Sequence, residues 1–503
     1  MRRVAFLRTV VPAALFGVWL GGCSSLSVSE PVNRPIAGKA EAAFVSSRTP
    51  APVESDDVLV GLAFSGGGTR AAAFAHGVLE EVDQTTIRSR RGTHSLIESV
   101  DFVSGVSGGS VTAAYFALKK REALADFREK FLIRNAEEGL STSIDPVNLV
   151  KALGGGGVND PKTLSRWLDA NLFHGATFAD FRKTPGPRVW INASDIYNRT
   201  PFIYGEAAFI ALCSDLASYP IADAVAASAA VPIVFTPMVI KAYTKQCTDQ
   251  PPEWVQRARA NPNTAPMLRA FANALYSYHD GGAKYVKLLD GGLVDNYGLS
   301  GFTIARLSAT TPYEPLTPER AVRLRRSIVI LADAGLAPSG DWVQTLDGPS
   351  GAELVMAAAD TAVQAGVRSS FTAFQGVMSD WQRKLIAWRC GLSAEQRRRY
   401  QAPANWNCRD LKIYVDRVAF DQLDPERAKV LNAIDTRFKL PTEQVDALIS
   451  AGHDALRANP VYREFLRGVG GQQSPIVTPP PMDPSTPVAE LIGPRASAYA
   501  ETR

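Results

Sequence analysis

One stretch constrains the fold of this chain more than any other: Val100-Asp101-Phe102-Val103-Ser104-Gly105-Val106-Ser107-Gly108-Gly109. Apolar Val100, Phe102 and Val103 lead into a G-x-S-x-G turn, and helix-compatible residues 111–118 follow. A strand that turns sharply into a helix at a serine forces that serine into a strained backbone, as in a nucleophile elbow. Gly105 and Gly109 remove side chains that would collide at such a turn. The helix beginning beneath Ser107 favours negative charge beside it. Taken alone, the pattern fits either a nucleophile elbow or a glycine-rich connection in any α/β protein.

The surrounding sequence supports the α/β reading. Residues 58–64 form a continuous apolar run, followed by a glycine turn and a helical pattern over 71–82. Further strands are expected at 100–104, 188–194, 284–289, 327–332 and 411–415, and an Ala-rich helix at 221–230 should end before Pro232. Continuous apolar strands alternating with helices predict a mainly parallel sheet covered on both faces, an α/β/α sandwich. Ligands of such sheets sit at the carboxyl ends of the strands. The glycine turns after the first, second and fourth expected strands should all fall at that edge. Long segments at 247–278 and 338–407 are candidates for a lid, and no internal repeat is visible.

Two more motifs carry chemistry. Ser65-Gly66-Gly67-Gly68-Thr69-Arg70 follows the first strand and opens a helix. It lacks the G-K-[ST] ending of a P-loop and the G-x-G-x-x-G spacing of a dinucleotide site. Gly66, Gly67 and Gly68 instead offer exposed backbone N–H groups suited to an oxyanion. Arg70 is near enough to hold the loop or meet an anionic head group. The other motif is Leu289-Asp290-Gly291-Gly292. A carboxylate closing a buried strand has no structural reason to be there, and Gly291 and Gly292 allow another backbone to approach. Asp290 could take the Ser107 proton as general base. Asp295 suits a helix cap and ranks second; Asp280, in a polar turn, ranks last. Of the five histidines only His453 follows Asp290, and it reads as a helix interior. A Ser–Asp pair therefore fits better than a triad.

The N-terminus has the form of an export signal. Arg2, Arg3 and Arg8 precede an apolar segment at 10–20, too short to span a bilayer, which needs about 20 apolar residues. It ends in Leu20-Gly21-Gly22-Cys23-Ser24-Ser25, which resembles the lipobox of bacterial lipoproteins. That resemblance implies a signal peptide over 1–22, lipidation of Cys23 and an outer-membrane anchor in the bacterial envelope. Of 54 basic residues these three arginines belong to the leader, leaving 51 against 50 acidic ones, which gives no support to nucleic-acid binding. The remaining Cys213, Cys247, Cys390 and Cys408 are an even set in an oxidising compartment. Three connectivities are possible; Cys213–Cys247 and Cys390–Cys408 are expected because each closes a local segment. No cysteine or histidine cluster suggests a metal, and no cofactor is expected. Residues 23–57 read as a flexible tether and 468–503 as a disordered Pro-rich tail, with the folded domain at 58–467.

Gly66-Gly67-Gly68-Thr69-Arg70, Gly105-Val106-Ser107-Gly108-Gly109 and Asp290-Gly291-Gly292 together resemble the three motifs of the patatin-like phospholipases, in the family's order. The likeness spans about residues 58–296 and weakens towards 466. It implies Ser107 as nucleophile, Asp290 as base, and an oxyanion hole led by Gly67 and Gly68. The segment Ala226-Ala227-Ser228-Ala229-Ala230-Val231-Pro232 resembles the family's small-residue helix ending at a proline. Ser65 and Ala71 depart from the plant pattern of the loop but leave its backbone donors intact. The implied activity is that of a phospholipase A or lysophospholipase. Its substrate would be a membrane phospholipid or other lipid ester. A non-phospholipid esterase, lipase or thioesterase on the same fold is the alternative, as is a silent envelope lipoprotein acting as a binding module.

Overall fold

The computed structural model describes residues 30–36, 57–89, 92–141, 148, 156–246, 250–338, 341–346, 348–349 and 351–474. An eight-stranded sheet organises them. Its strands are β1 (Val58–Phe64), β4 (Val100–Val106), β5 (Arg188–Asp195), β6 (Thr200–Ile203), β7 (Met238–Lys241), β8 (Tyr285–Asp290), β9 (Arg326–Asp333) and β10 (Lys412–Ala419). The spatial order is β10-β9-β1-β4-β5-β8-β7, with β6 hairpinned onto β5. A small hairpin of β2 (Thr86–Ser89) and β3 (Gly92–Ser95) stands apart.

The five strands from β10 to β5 pair in parallel. They alternate the two faces of a sheet buried on both sides. Along β1, Val58, Val60, Leu62 and Phe64 enter one core, and Leu59 and Ala63 the other. Gly61 has no side chain because the Phe102 ring lies there: a Cβ would sit 2.0 Å from it. Phe102 stacks on Phe302 at 5.3 Å and meets Trp190 at 5.4 Å, an aromatic layer beneath the helix Gly351–Cys390.

The opposite face carries α1 (Gly68–Gln84), α2 (Gly108–Lys119), α3 (Ile221–Ser228), and α4 (Thr442–Ala458) packed over α1. Helix α1 is buried nearly all round. It crosses α4 where both lack a side chain: a Cβ on Gly77 would lie 1.9 Å from the Ile449 carbonyl oxygen, and one on Gly452 2.1 Å from that of Phe74. Such close approach is what glycine permits.

The fourth expected strand corrects one expectation. β8 runs antiparallel to β5, pairing Ala193 with Asp290 and Asp195 with Leu288. Its end still reaches the nucleophile's level, because β5 outruns β4: Val106 pairs with Asn192. Asp290 and Ser107 thus stand on either side of β5 at its Asn192–Ala193 step.

Two boundaries also shift. Part of the expected tether is docked, since Ile36 donates its N–H to the Cys213 carbonyl and Asn33 is buried against β7. At the other end the fold continues through residues 470–474, where Gln472 bridges Thr86 and the Ser474 hydroxyl donates to the Gln84 carbonyl. The expected signal peptide, Cys23, Cys247 and the rest of the tail lie outside the described residues. Cys390 and Cys408 form a disulfide; Cys213 is disulfide-bonded too. Among the described residues no helix is long and apolar enough to cross a membrane.

Candidate active site

β4 delivers Ser107 to the carboxyl edge of the sheet, where it caps α2 with φ 51° and ψ −124°. Positive φ is uncommon outside glycine and marks a turn held by its surroundings. Those surroundings are backbone. A Cβ on Gly105 would lie 2.4 Å from the Gly109 carbonyl oxygen, and one on Gly109 2.5 Å from those of Phe64 and Ser65. Gly105 and Gly109 therefore do what the sequence requires of them.

Ser107 has a third support that sequence reasoning missed. Its N–H donates to the Ser228 hydroxyl oxygen at 2.9 Å, and that hydroxyl donates to the Asn192 carbonyl at 2.6 Å. The Gly291 N–H donates to the Ser228 carbonyl, and the Asp290 N–H to that of Ala230. The end of α3 thus ties β4, β5 and β8 together. Asn192 donates its side-chain amide to the Ser104 hydroxyl and the Gly105 carbonyl, bracing the strand below the turn. The signals were present: a lone hydroxyl in an Ala-rich helix, and an amide in a buried strand.

Asp290 is buried and lies near enough to Ser107 for the serine hydroxyl to favour its charged form. Burial pushes its carboxyl up to about 6, while the Gly292 N–H, donating at 2.8 Å, and the Ser107 hydroxyl pull it down. Gly291 clears the way for β5, since its Cβ would lie 2.3 Å from the Asn192 carbonyl oxygen. A Cβ on Gly292 would crowd Asn296 and Asp290 itself.

The two lower-ranked carboxylates do other work. Asp295 is buried but accepts the Ser300 N–H at 2.7 Å, a cap for the following helix. Asp280 is exposed in the turn after a helix and accepts from Gly282. His453 pairs with Glu81 and Asp454, which raise it to about 9, and His76 with Glu80.

The triple glycine lies directly against the serine turn. A Cβ on Gly66 would be 3.4 Å from the Ser107 Cβ, and one on Gly108 1.9 Å from the Gly68 carbonyl oxygen. Gly67 and Gly68 have φ of 142° and 60°, open to glycine alone or nearly so. The Gly66 N–H donates to the Asn296 carbonyl at 3.2 Å, whereas those of Gly67 and Gly68 have no acceptor among the described residues. Both α1 and α2 begin here without a side-chain cap or an acid in the first turn. Two uncapped helix N-termini thus converge on one place, which favours an anion.

Arg70 holds the loop from behind. It donates to the Ala334 and Ile434 carbonyls at 3.0 and 2.9 Å, and burial lowers it to about 10. It therefore holds the loop, one of the two roles its place in the sequence suggests, and the backbone N–H that favours the ionised Asp290 comes from Gly292. Ser65 accepts the Ala334 N–H at 3.0 Å and fastens the same loop to β9. No group of three or more His, Cys, Asp or Glu side chains among the described residues could hold a metal ion.

A serine on a strained strand–helix turn, facing a buried carboxylate at the carboxyl edge of an α/β/α sheet, has the layout of a hydrolase site. Residues 62–303 match the sequence model of the patatin-like phospholipases. The chain carries a patatin-like phospholipase domain, and with it the general character of a lipid acyl hydrolase.

No curated protein matches the chain. Among solved structures, human GIVD cytosolic phospholipase A2 is 12% identical over 88% of this chain and 69% of its own, with a TM-score of 0.40. VipD from Legionella pneumophila is 14% identical over 83% of this chain and 67% of its own, with a TM-score of 0.27. These likenesses are too loose to inform the site.

Proposed function

We propose that the protein is a phospholipase A or lysophospholipase that cleaves carboxylic esters through Ser107 and Asp290. The observation that carries this reading is the placement of buried Asp290 beside the strained Ser107 turn, next to two N–H groups, of Gly67 and Gly68, that have no acceptor among the described residues. Asp290, ionised, accepts the Ser107 proton as Oγ attacks the ester carbonyl. The tetrahedral oxyanion rests on the N–H groups of Gly67 and Gly68 at the start of α1. Such a donor is worth about 2.7–4 kcal/mol. The alcohol leaves with the proton from Asp290. Water, deprotonated by the same carboxylate, then releases the fatty acid from the acyl-enzyme.

The test is product analysis of purified protein on phospholipid and lysophospholipid. Wild type should release fatty acid and take up a fluorophosphonate probe. Ser107→Ala should do neither while keeping its fold; an active Ser107→Ala removes the serine from its role. The same reading places the domain on a lipid anchor at Cys23 in the bacterial envelope. Cys23→Ala should move it from the membrane to the soluble fraction.

A further inference from the structure

The carboxyl edge that holds Ser107 also displays apolar side chains. Leu293 and Val294 follow the Asp290-Gly291-Gly292 turn, Val231 and Ile233 follow α3, and Ile196 and Tyr197 form the β5–β6 tip; all are exposed. Two of these positions are built rather than loose. Ile233 is β-branched yet holds φ 72°, strain that needs a surrounding structure to maintain it. The tip of Ile196 and Tyr197 is folded around the fully buried Asp195. Its carboxylate accepts the Tyr197 and Asn198 N–H groups, the Asn198 amide and the Tyr278 hydroxyl. The result is a 75% exposed tyrosine on a rigid support.

The N-terminal segment is fastened at this same edge. Asn33 mimics a neighbouring strand for β7: its amide donates to the Lys241 carbonyl at 2.8 Å and accepts the Lys241 N–H at 2.9 Å. It also donates to the Ser214 hydroxyl, and Tyr243 donates its hydroxyl to the Asn33 carbonyl. Lys241 pairs with Tyr285 at the start of β8, further out along the carboxyl direction than Asp290. Asn33 therefore leaves the domain on the side towards which the nucleophile opens.

We propose that this apolar rim seats on the lipid bilayer that holds Cys23, with the Asn33 clasp deciding which face meets it. The inference rests on the lipid-anchor reading of Cys23. Cys23 and Asn33 are ten positions apart, a reach of at most about 35 Å. A folded domain of this size measures roughly 55 Å across. So short a leash from one edge keeps that edge against the bilayer. Without the clasp the leash would run to Asp57, 34 positions from Cys23 and up to about 115 Å, and any face could turn down. Exposed Lys284 and Lys287 flank Tyr285 at the same end of β8 and suit anionic head groups.

The experiment uses the full lipidated chain in vesicles of phosphatidylcholine and phosphatidylglycerol. An environment-sensitive fluorophore is placed at Tyr197→Cys or, as control, at Arg398→Cys. Arg398 is exposed in the helix Ala394–Arg399, beside Gln401, which accepts from Arg323 just ahead of the amino end of β9. The 197 probe should shift to the blue and be quenched by lipid-borne quencher; the 398 probe should do neither. A Gly/Ser insertion of about 24 residues between Ser25 and Glu30 restores the unclasped length and should lower vesicle-lipid hydrolysis about sixfold, with soluble-ester turnover unchanged. A chain that floats with the vesicles but shows no shift at 197, or equal shifts at both sites, overturns the proposal alone. A chain that does not float overturns the anchor with it. A shift that follows protein density and ignores the lipid quencher marks a second copy as the occupant and also overturns it. Loss of soluble-ester turnover in the wild type counts against the hydrolase reading and leaves the docking result standing.

Discussion

A side chain on Gly108 would place its Cβ 1.9 Å from the carbonyl oxygen of Gly68. The serine turn and the glycine loop are therefore in backbone contact, and neither moves without the other. Gly108→Ala must push the two apart by more than 1 Å. Displacement of that order can cost about 10²-fold in rate. Ester kinetics should show the loss in kcat, with circular dichroism unchanged.

The base assignment has a pH signature. With Asp290 at about 6, kcat/KM should fall roughly tenfold per pH unit below that value and level off above it. Asp290→Asn should lose about 10²–10⁴-fold. Asp295→Asn should keep its turnover and lose about 1 kcal/mol of stability, as a lost helix cap does. The reverse pattern would transfer the role to Asp295.

Stability should move the other way. The folded carboxyl at about 6 lies above its ordinary 3.8, so between those values the folded state binds more protons than the unfolded one. Folding is thus weakened as pH rises through this window. Held ionised, the group costs on the order of 3 kcal/mol. Asp290→Asn should gain up to that much in urea unfolding at pH 8, and nothing below pH about 3.8.

Ser228 touches no reacting atom in the proposed mechanism; it positions Ser107. Ser228→Ala leaves the Ser107 N–H without its acceptor, at a cost of about 1–3 kcal/mol. A purely structural role would lower stability alone. A positioning role should also slow fluorophosphonate labelling about tenfold with KM unchanged.

The Cys390–Cys408 bridge closes a segment of 18 residues near the start of β10, on the edge opposite the candidate site. Replacing both cysteines by serine should cost about 3 kcal/mol through the freed loop in the unfolded chain. Chemical denaturation measures this, and kcat should be unaffected.

Much of this was readable before any coordinates. Strands β1, β4, β5, β8, β9 and β10 announce themselves as apolar runs, and Asp290 stands out as a charge closing one of them. Direction does not announce itself: an apolar run reads the same whichever way its neighbours point, so β8 passed as parallel. For Arg70 the sequence left two roles open, holding the glycine loop or meeting an anionic head group, and only the fold shows that it holds the loop. Nearness in sequence to the glycine loop says nothing of which side of the loop a long side chain takes. Ser228 and Asn192 act through backbone groups far along the chain, and only the fold brings those partners together. Asn33 lies in a stretch rich in Ser, Pro and Ala, and its role depends on an edge strand more than 200 positions away.

β5 separates the proposed nucleophile from its base, and both are aligned on it by strand pairing and by the end of α3. Their spacing is one strand on each side, and a slip of one residue would turn Asp290 to the wrong face. No partial sheet brings the pair together. A chain still being made, or threaded unfolded through a membrane, would carry both groups as inert side chains. Lipid hydrolysis would begin only once the final strand pairing closes, a safeguard for the cell that makes it.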